Sequence, residues 1–346
     1  MKIDIHHHCI PRRFIDLVRR DPKRYQSLVY RDPGTGLEAL APGLTSPPEV
    51  TGPGRSVYAM DPGIYDLSVH IEEMEAMGLD MAALSVSPLL FYYSAEAALA
   101  TEVAQICNDA IHDAAQKYPQ QFVGMGTVPL QDVQAAISEL ERVVREYGFT
   151  AVEIGGSVNG RNFDEPEFEP FFSRAAELDV LLFVHPSGAP APERLPRYYT
   201  SNTIGLPVES GICAASLIFG GTLQRYPNIK ICFAHGGGIV PGLIGRWDHG
   251  WEVRAEAKAA IDRPPSTYFA QLYFDDLVHS DAVLRALLNI ASAERVVVGT
   301  DYPYDMGERN PGAVLRRQKL PPEQRRMIES ETAVRLLRIP RSKVRE

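Results

Sequence analysis

The chain contains few cysteines and no long apolar run. Only four of its 346 residues are cysteine and none form a CxxC pair, so neither a disulfide framework nor a cysteine-based metal cluster is indicated. A transmembrane helix needs roughly 18 or more consecutive apolar residues, and no such run is present. The N-terminus also has no charged region followed by an apolar region, so a secretory signal is not indicated. These absences together predict a cytoplasmic protein.

The chain also has no excess of positive charge. Lysine and arginine number 35 against 44 aspartates and glutamates, which gives a formal net charge of -9. An acidic surface argues against nonspecific binding to nucleic acid or to an anionic membrane. It does not exclude a small anionic substrate, because a few local arginines can outweigh the global charge.

Eight short apolar segments alternate with helical patterns along most of the chain. Strands buried on both faces give such near-continuous apolar runs, and this alternation predicts a parallel sheet with right-handed crossovers. Eight units predict an α/β fold of the closed (β/α)₈ TIM-barrel type, with the active site at the carboxyl ends of the strands. The first strand is not followed by GxGxxG, which an open dinucleotide-binding sheet would favour.

The barrel is expected to form one domain over residues 1–346. Residues 21–56 are rich in proline and glycine and have no clear hydrophobic period. Irregular segments of this length inside a compact domain are often functional loops. This segment is therefore predicted to be an irregular insertion or lid near the active site, either a loop or a small β-insertion.

Five residues that bind metals or move protons lie at the ends of the first, fifth, sixth and eighth predicted strands: His6, His8, His185, His235 and Asp301. His6 and His8 are two positions apart, so both point to one face of a strand. Three imidazoles and one carboxylate can hold zinc and leave a position open for water. These residues predict a metal-dependent barrel enzyme, in which His235 is either a further ligand or a base.

A single metal ion is favoured over two. A carbamylated lysine at the end of the fourth strand would bridge two ions, but no lysine occurs between Gly148 and Ile229. Glu153 lies in the fourth predicted strand and is a candidate bridge. A structural carboxylate beside the site is the simpler interpretation of this residue.

Several segments, taken together and in order, resemble the aminocarboxymuconate-semialdehyde decarboxylase group of the amidohydrolase superfamily. The resemblance covers about residues 1–10 and 60–340 and is specific because the motifs occur in combination. The segments are IDIHHH, NDAIHDAAQKYPQQFVGMGTVPLQ, GLPVESGICAASLIFGGTLQRYPNIKICFAHGGG, GLIGRWDHG, LYFDDLVH and VVVGTDYPYDMGE.

This resemblance implies one Zn²⁺ per subunit, with Mn²⁺ as an alternative, held by His6, His8, His185 and Asp301. It also implies that His235 activates metal-bound water, that hydroxide adds to a small-molecule carboxylate substrate, and that carbon dioxide then leaves without an organic cofactor. Asp301 is included among the catalytic residues.

The family binds the substrate carboxylate with arginines, which suit this role because their planar fork holds a carboxylate through two hydrogen bonds. By motif, one is Arg246, supplied to the neighbouring active site of a homodimer. Arg55 is the candidate for the other, from a loose alignment.

Two positions near the expected pocket depart from the family pattern. HPSG stands where the group has HPWD, so Ser187 replaces an aromatic residue, and Tyr304 replaces a phenylalanine. Both are candidate substrate-binding residues. The departures leave the metal residues intact but leave the substrate open. The alternatives are therefore a metal-dependent hydrolase or hydratase acting on a ring-cleavage product with the same site, and a non-catalytic binding scaffold.

Overall fold

The structure is a computed structural model, and it describes residues 1–32, 36–43 and 58–343. Within these residues, eight short parallel strands follow one another around a ring. Their bounds are β1 Ile3–Cys9, β2 Met81–Val86, β3 Phe122–Gly124 with Gly126–Thr127, β4 Ala151–Ile154, β5 Leu181–Val184, β6 Lys230–Phe233, β7 Tyr273–Asp275 and β8 Val296–Val297.

The hydrogen bonding closes this ring. β1 pairs with β2 and β2 with the first half of β3, while the second half of β3 begins a run of parallel pairs through to β8. The last gap is closed by bridges from β1 to the segment that follows β8, in which the Ile5 amide donates to the Val298 carbonyl at 2.9 Å. The predicted (β/α)₈ barrel is confirmed.

Helices cover the outside of the ring. The longer ones are α1 Arg12–Arg20, α2 Leu67–Ala76, α3 Ala97–Lys117, α4 Val133–Tyr147, α5 Glu169–Glu177, α6 Leu206–Phe219, α7 Val240–Val253 and α8 Asp281–Ala291. Local sequence sets their ends. Asp132 caps α4 by accepting from the amides of Gln134 and Ala135, and Gly148 ends it at φ 69°, a conformation that costs glycine little.

One local feature differs from the sequence prediction. The segment TYFAQLYFD is predicted as one long seventh strand, but Pro265–Phe269 is a short helix and only Tyr273–Asp275 pairs as strand. The proline-rich and glycine-rich segment after α1 does contain a small β-insertion, in which strands Ser27–Arg31 and Glu38–Pro42 form an antiparallel sheet with Tyr58–Ala59. Its function as a lid remains a prediction, and Arg55 lies outside the described residues.

The helix Ser201–Phe219, which includes α6, is long and apolar enough to reach across a membrane, by length and composition alone. Half of its apolar window is buried inside the structure. The helix packs beside the glycine-rich turn after β6, where a Cβ added at Gly238 would lie 2.4 Å from the Pro207 carbonyl oxygen. A helix that packs against the core of a barrel can meet the same criteria of length and composition.

The interior of the barrel changes from apolar to polar along its axis. Its lower part is filled by side chains that include Ile3, Ile5, Leu181 and Phe183, and the C-terminal helix packs against them. A register shift in β1 between Asp4 and His7 changes the alternation of side chains, so His6 and His8 join the cluster at the upper end. The fold therefore directs the polar residues of the strand ends to one place.

Candidate metal centre

Four predicted ligands meet at the carboxyl ends of the barrel strands. His6 and His8 come from β1, His185 directly follows β5, and Asp301 follows β8. All four are buried, and one ligand atom from each lies within 4.8 Å of the others. The structure thus brings together residues separated by almost 300 positions in the chain.

Hydrogen bonds on the far side of each imidazole set its tautomer. His8 Nδ1 donates to the Val86 carbonyl and His185 Nδ1 donates to the Pro186 carbonyl, both at 2.9 Å. His6 Nδ1 donates to the Asp275 carboxylate at 2.7 Å. Because these oxygens can only accept, each neutral ring carries its proton on Nδ1 and keeps a lone pair on Nε2.

The three Nε2 atoms surround one carboxylate oxygen. Asp301 Oδ1 lies 3.2 Å from His6 Nε2, 3.2 Å from His8 Nε2 and 3.9 Å from His185 Nε2. None of these four buried atoms has a hydrogen-bonding partner. Ligand atoms ~2.1 Å from a shared tetrahedral ion would be separated by ~3.4 Å. The residues therefore fit a single divalent cation.

The electrostatics of the cluster favour a positive charge at its centre. Burial alone would lower the pKa of His6, but Asp301 and Asp275 together raise it to about 10. Burial opposes ionisation of Asp301, yet His6 and the neighbouring histidines hold its pKa well below the usual range. The carboxylates beside His6 favour a proton on this ring, and a bound cation would supply the same positive charge in its place.

Two further aspartates organise the centre. Asp275, at the end of β7, orients His6 and also accepts from the Gly236 amide at 2.8 Å. Asp4 Oδ1 accepts from the amides of His6 and Thr300, each at 3.0 Å, which joins the two ligand-bearing strands. Sequence reasoning missed both, although the position of Asp275 at a strand end was the same signal that identified Asp301.

His235 lies beside the four ligands. Its Nε2 atom is 3.4 Å from the second carboxylate oxygen of Asp301, and its Nδ1 atom is buried without a partner. Both His235 and Asp301 have φ 56°, in the left-handed region that non-glycine residues seldom adopt. The local backbone therefore holds these two side chains close together at the cost of an unfavourable conformation.

Glu153 lies under the centre and is fully buried. Its nearest ionisable neighbour in the cluster is His8, whose Nδ1 atom is 3.7 Å away and already donates to Val86. Burial raises the pKa of Glu153. Glu153 is not one of the four clustered ligands.

Two cavities adjoin the centre. The smaller one, of about 100 Å³, is lined by His185 and Asp301 together with the predicted pocket residues Ser187 and Tyr304. The larger one, of about 660 Å³, has none of the four ligands in its lining and extends to the side. The smaller cavity is therefore the candidate reaction site, because it is the one lined by two of the four clustered ligands.

Of the two predicted substrate arginines, Arg246 is not part of this site within one chain. Arg246 lies exposed on α7 and borders neither cavity, and Arg55 falls outside the described residues. Neither arginine nor lysine lines either cavity in the described ranges.

Comparisons with known proteins point to one family. The family model described as "Amidohydrolase" matches residues 3–339. The 2-amino-3-carboxymuconate-6-semialdehyde decarboxylase of Dictyostelium discoideum is 33% identical over 92% of this chain and 86% of its own length.

Two solved structures share the fold. The 5-carboxyvanillate decarboxylase of Sphingomonas paucimobilis has a TM-score of 0.81 at 25% identity, over 98% of this chain and 99% of that one. The 5-carboxyvanillate decarboxylase of Novosphingobium aromaticivorans, solved with manganese and 4-hydroxy-3-methoxy-5-nitrobenzoic acid, has a TM-score of 0.78 at 23% identity, over 98% and 96% of the two chains.

Replacing a ligand should remove the metal without unfolding the barrel. His185→Ala deletes one of four ligand atoms, and its affinity for Zn²⁺ or Mn²⁺ should fall by more than the roughly 10–100-fold that loss of an orienting partner costs. His249→Ala is the matched control, because the His249 side chain is 73% exposed and remote from the cluster. Mass spectrometry would measure the metal content of both variants after dialysis. If both retained one equivalent of metal, the assignment of His185 as a ligand would be contradicted.

Proposed function

Because this chain belongs to the amidohydrolase family and is a metal-dependent carboxy-lyase, we propose that it removes carbon dioxide, without oxidation, from an unsaturated or aromatic carboxylic acid. The observation that carries this proposal is the convergence of three Nε2 lone pairs and one Asp301 oxygen, all buried and unpartnered, beside a small cavity. Relatives that are decarboxylases of such acids support the same reaction.

We propose Zn²⁺ as the resident ion, with Mn²⁺ as the alternative. His6, His8, His185 and Asp301 would hold it, and this set of nitrogen and oxygen donors suits either metal. When bound, such an ion supplies Lewis acidity and lowers the pKa of water towards neutrality. The buried Nδ1 hydrogen bonds keep all three imidazoles in the orientation that presents Nε2 to the ion.

The remaining site residues would act on protons and on the substrate. His235 would accept the proton that water loses, and two observations support this role: its Nε2 atom lies 3.4 Å from Asp301, and it is not among the four clustered ligands. Asp301 would act both as ligand and as partner of His235. Tyr304 and Ser187 line the small cavity and would contact the substrate.

The reaction itself can be tested on a panel of carboxymuconate semialdehydes and hydroxybenzoates with Zn²⁺-loaded or Mn²⁺-loaded protein. We expect release of carbon dioxide and a product lighter by that mass. His235→Ala should keep its metal and lose roughly a hundredfold to ten-thousandfold in kcat, the range typical of a general base. Gain of water or cleavage into two organic fragments would instead indicate a hydratase or hydrolase, and metal loss in His235→Ala would make His235 a ligand.

The carboxylate-binding cation is proposed to be shared between subunits. Arg246 is exposed on α7, a helix of which only Val240 is buried, so its side chain is free to reach a second copy of the chain. We propose a homodimer in which Arg246 enters the neighbouring site, with Arg55 as the candidate from the same subunit. A cytoplasmic location is part of the same proposal.

Hybrid dimers test the sharing of Arg246. Arg246→Ala and His235→Ala should each be nearly inactive alone, but a mixed dimer would contain one site with both residues intact. Random mixing should restore roughly one quarter of the sites, and activity should rise accordingly. Co-expression with two affinity tags gives the mixed dimer directly. Activity no higher than the mean of the two single variants would rule out an arginine supplied across the interface.

A further inference from the structure

The two cavities meet at a small side chain. Ser187, Pro88 and Leu89 line both the metal cavity and the larger cavity, which is called the side chamber below. Ser187 is exposed, and its Oγ atom would lie 3.2 Å from a Cβ placed on Gly155. The short hydroxymethyl group of Ser187 therefore lies at the boundary between the reaction site and the side chamber.

The side chamber is large enough to hold a substantial part of a ligand. Its volume of about 660 Å³ compares with about 100 Å³ for the metal cavity. Small-molecule sites commonly occupy 300–1,000 Å³ and combine apolar walls with a few placed polar groups. The walls here include Phe91, Tyr92, Tyr93 and Ile212, which give apolar surface.

The polar groups of the side chamber carry no positive charge. Its lining contains no arginine, lysine or histidine in the parts of the chain that the structure describes. Its one carboxylate is Glu209, which is buried and accepts a hydrogen bond from Ser157 at 2.5 Å. Asn159 and Asn162 supply amides nearby. A second carboxylate placed here would lie beside the buried Glu209 carboxyl and would find no cation among the described lining residues.

We propose that the side chamber is a specificity subsite, reached past Ser187, for an extended uncharged substituent of the acid, with a hydroxyl or other hydrogen-bond donor directed to Glu209. This inference rests on the proposed function for the position of the reacting carboxylate. It narrows the substrate class to monocarboxylic acids that carry a long polar but uncharged arm. Dicarboxylic acids of the same length are disfavoured, because the described lining residues offer no cation to a second carboxylate.

The test compares three probes on metal-loaded protein. The compact probe is 2,6-dihydroxybenzoate, and the extended probes carry a pentyl arm on the ring that ends in a hydroxyl or in a carboxylate, at each free ring position. Binding is measured by calorimetry, which does not depend on turnover. Wild-type protein should bind one hydroxypentyl isomer at least about tenfold more tightly than the compact probe, and the carboxypentyl isomers no more tightly than the compact probe.

Substitutions at Ser187 and Glu209 test whether these residues cause the preference for the hydroxypentyl probe. Ser187→Trp fills the passage and should reduce the preference for the hydroxypentyl probe to less than about twofold, whereas Ser187→Ala keeps the passage open and should preserve it. Glu209→Gln should remove the discrimination between the hydroxyl and carboxylate arms. Ser187→Leu is a second closing variant, and thermal unfolding with metal content checks that each protein is folded.

The results separate this inference from the proposed reaction. A wild-type preference that Ser187→Trp and Ser187→Leu leave intact, or no preference in wild type, would overturn the subsite. Carbon dioxide release from the compact probe alongside that result would leave the proposed reaction standing. The expected binding pattern without carbon dioxide release from any probe would support the subsite and contradict the decarboxylase.

Discussion

The structure depends on one electrostatic constraint, the gathering of three buried imidazole nitrogens around a buried oxygen of Asp301. Each Nε2 atom keeps its lone pair because the other nitrogen of the same ring, Nδ1, donates a hydrogen bond. The acceptors are Asp275 for His6, Val86 for His8 and Pro186 for His185. Buried lone pairs without partners are costly in a protein interior. A cation would relieve that cost, which is why we regard the centre as built for a metal.

The barrel is arranged to produce this gathering. A register shift in β1 directs His6 and His8 inward after Ile3 and Ile5 have filled the lower core. Asp4 then ties the His6 amide to the Thr300 amide, so the segment that carries Asp301 is fixed to the strand that carries the first two ligands. Loss of that link would displace a ligand without touching the ion.

Much of this could be predicted from the sequence. Strand ends of a barrel converge, so an ordered set of His6, His8, His185 and Asp301 after apolar runs was sufficient to predict both the fold and the ligand cluster. The tautomers could not be predicted, because His8 is oriented by a carbonyl 78 residues away that carries no side-chain signal. Asp275 was missed although it ends a strand as the ligands do, and Asp4 was missed because it lies inside a strand, where its sequence position does not distinguish it from other acidic residues.

The substrate side of the site was less predictable for a physical reason. Ser187 was identified as a departure that widens the pocket, but its position between two cavities depends on how Pro88 and Leu89 pack from another loop. The charge of a chamber depends on which residues of distant segments face it, and Glu209 lies on a helix more than 20 residues after Ser187.

The most direct test of the metal centre is anomalous X-ray diffraction from crystals of Zn²⁺-loaded or Mn²⁺-loaded protein, collected at the absorption edge of the metal. We predict a single strong peak per chain, at bonding distance from His6 Nε2, His8 Nε2, His185 Nε2 and Asp301. A peak elsewhere, or a cluster that keeps its four ligand atoms free in the presence of saturating metal, would contradict the account.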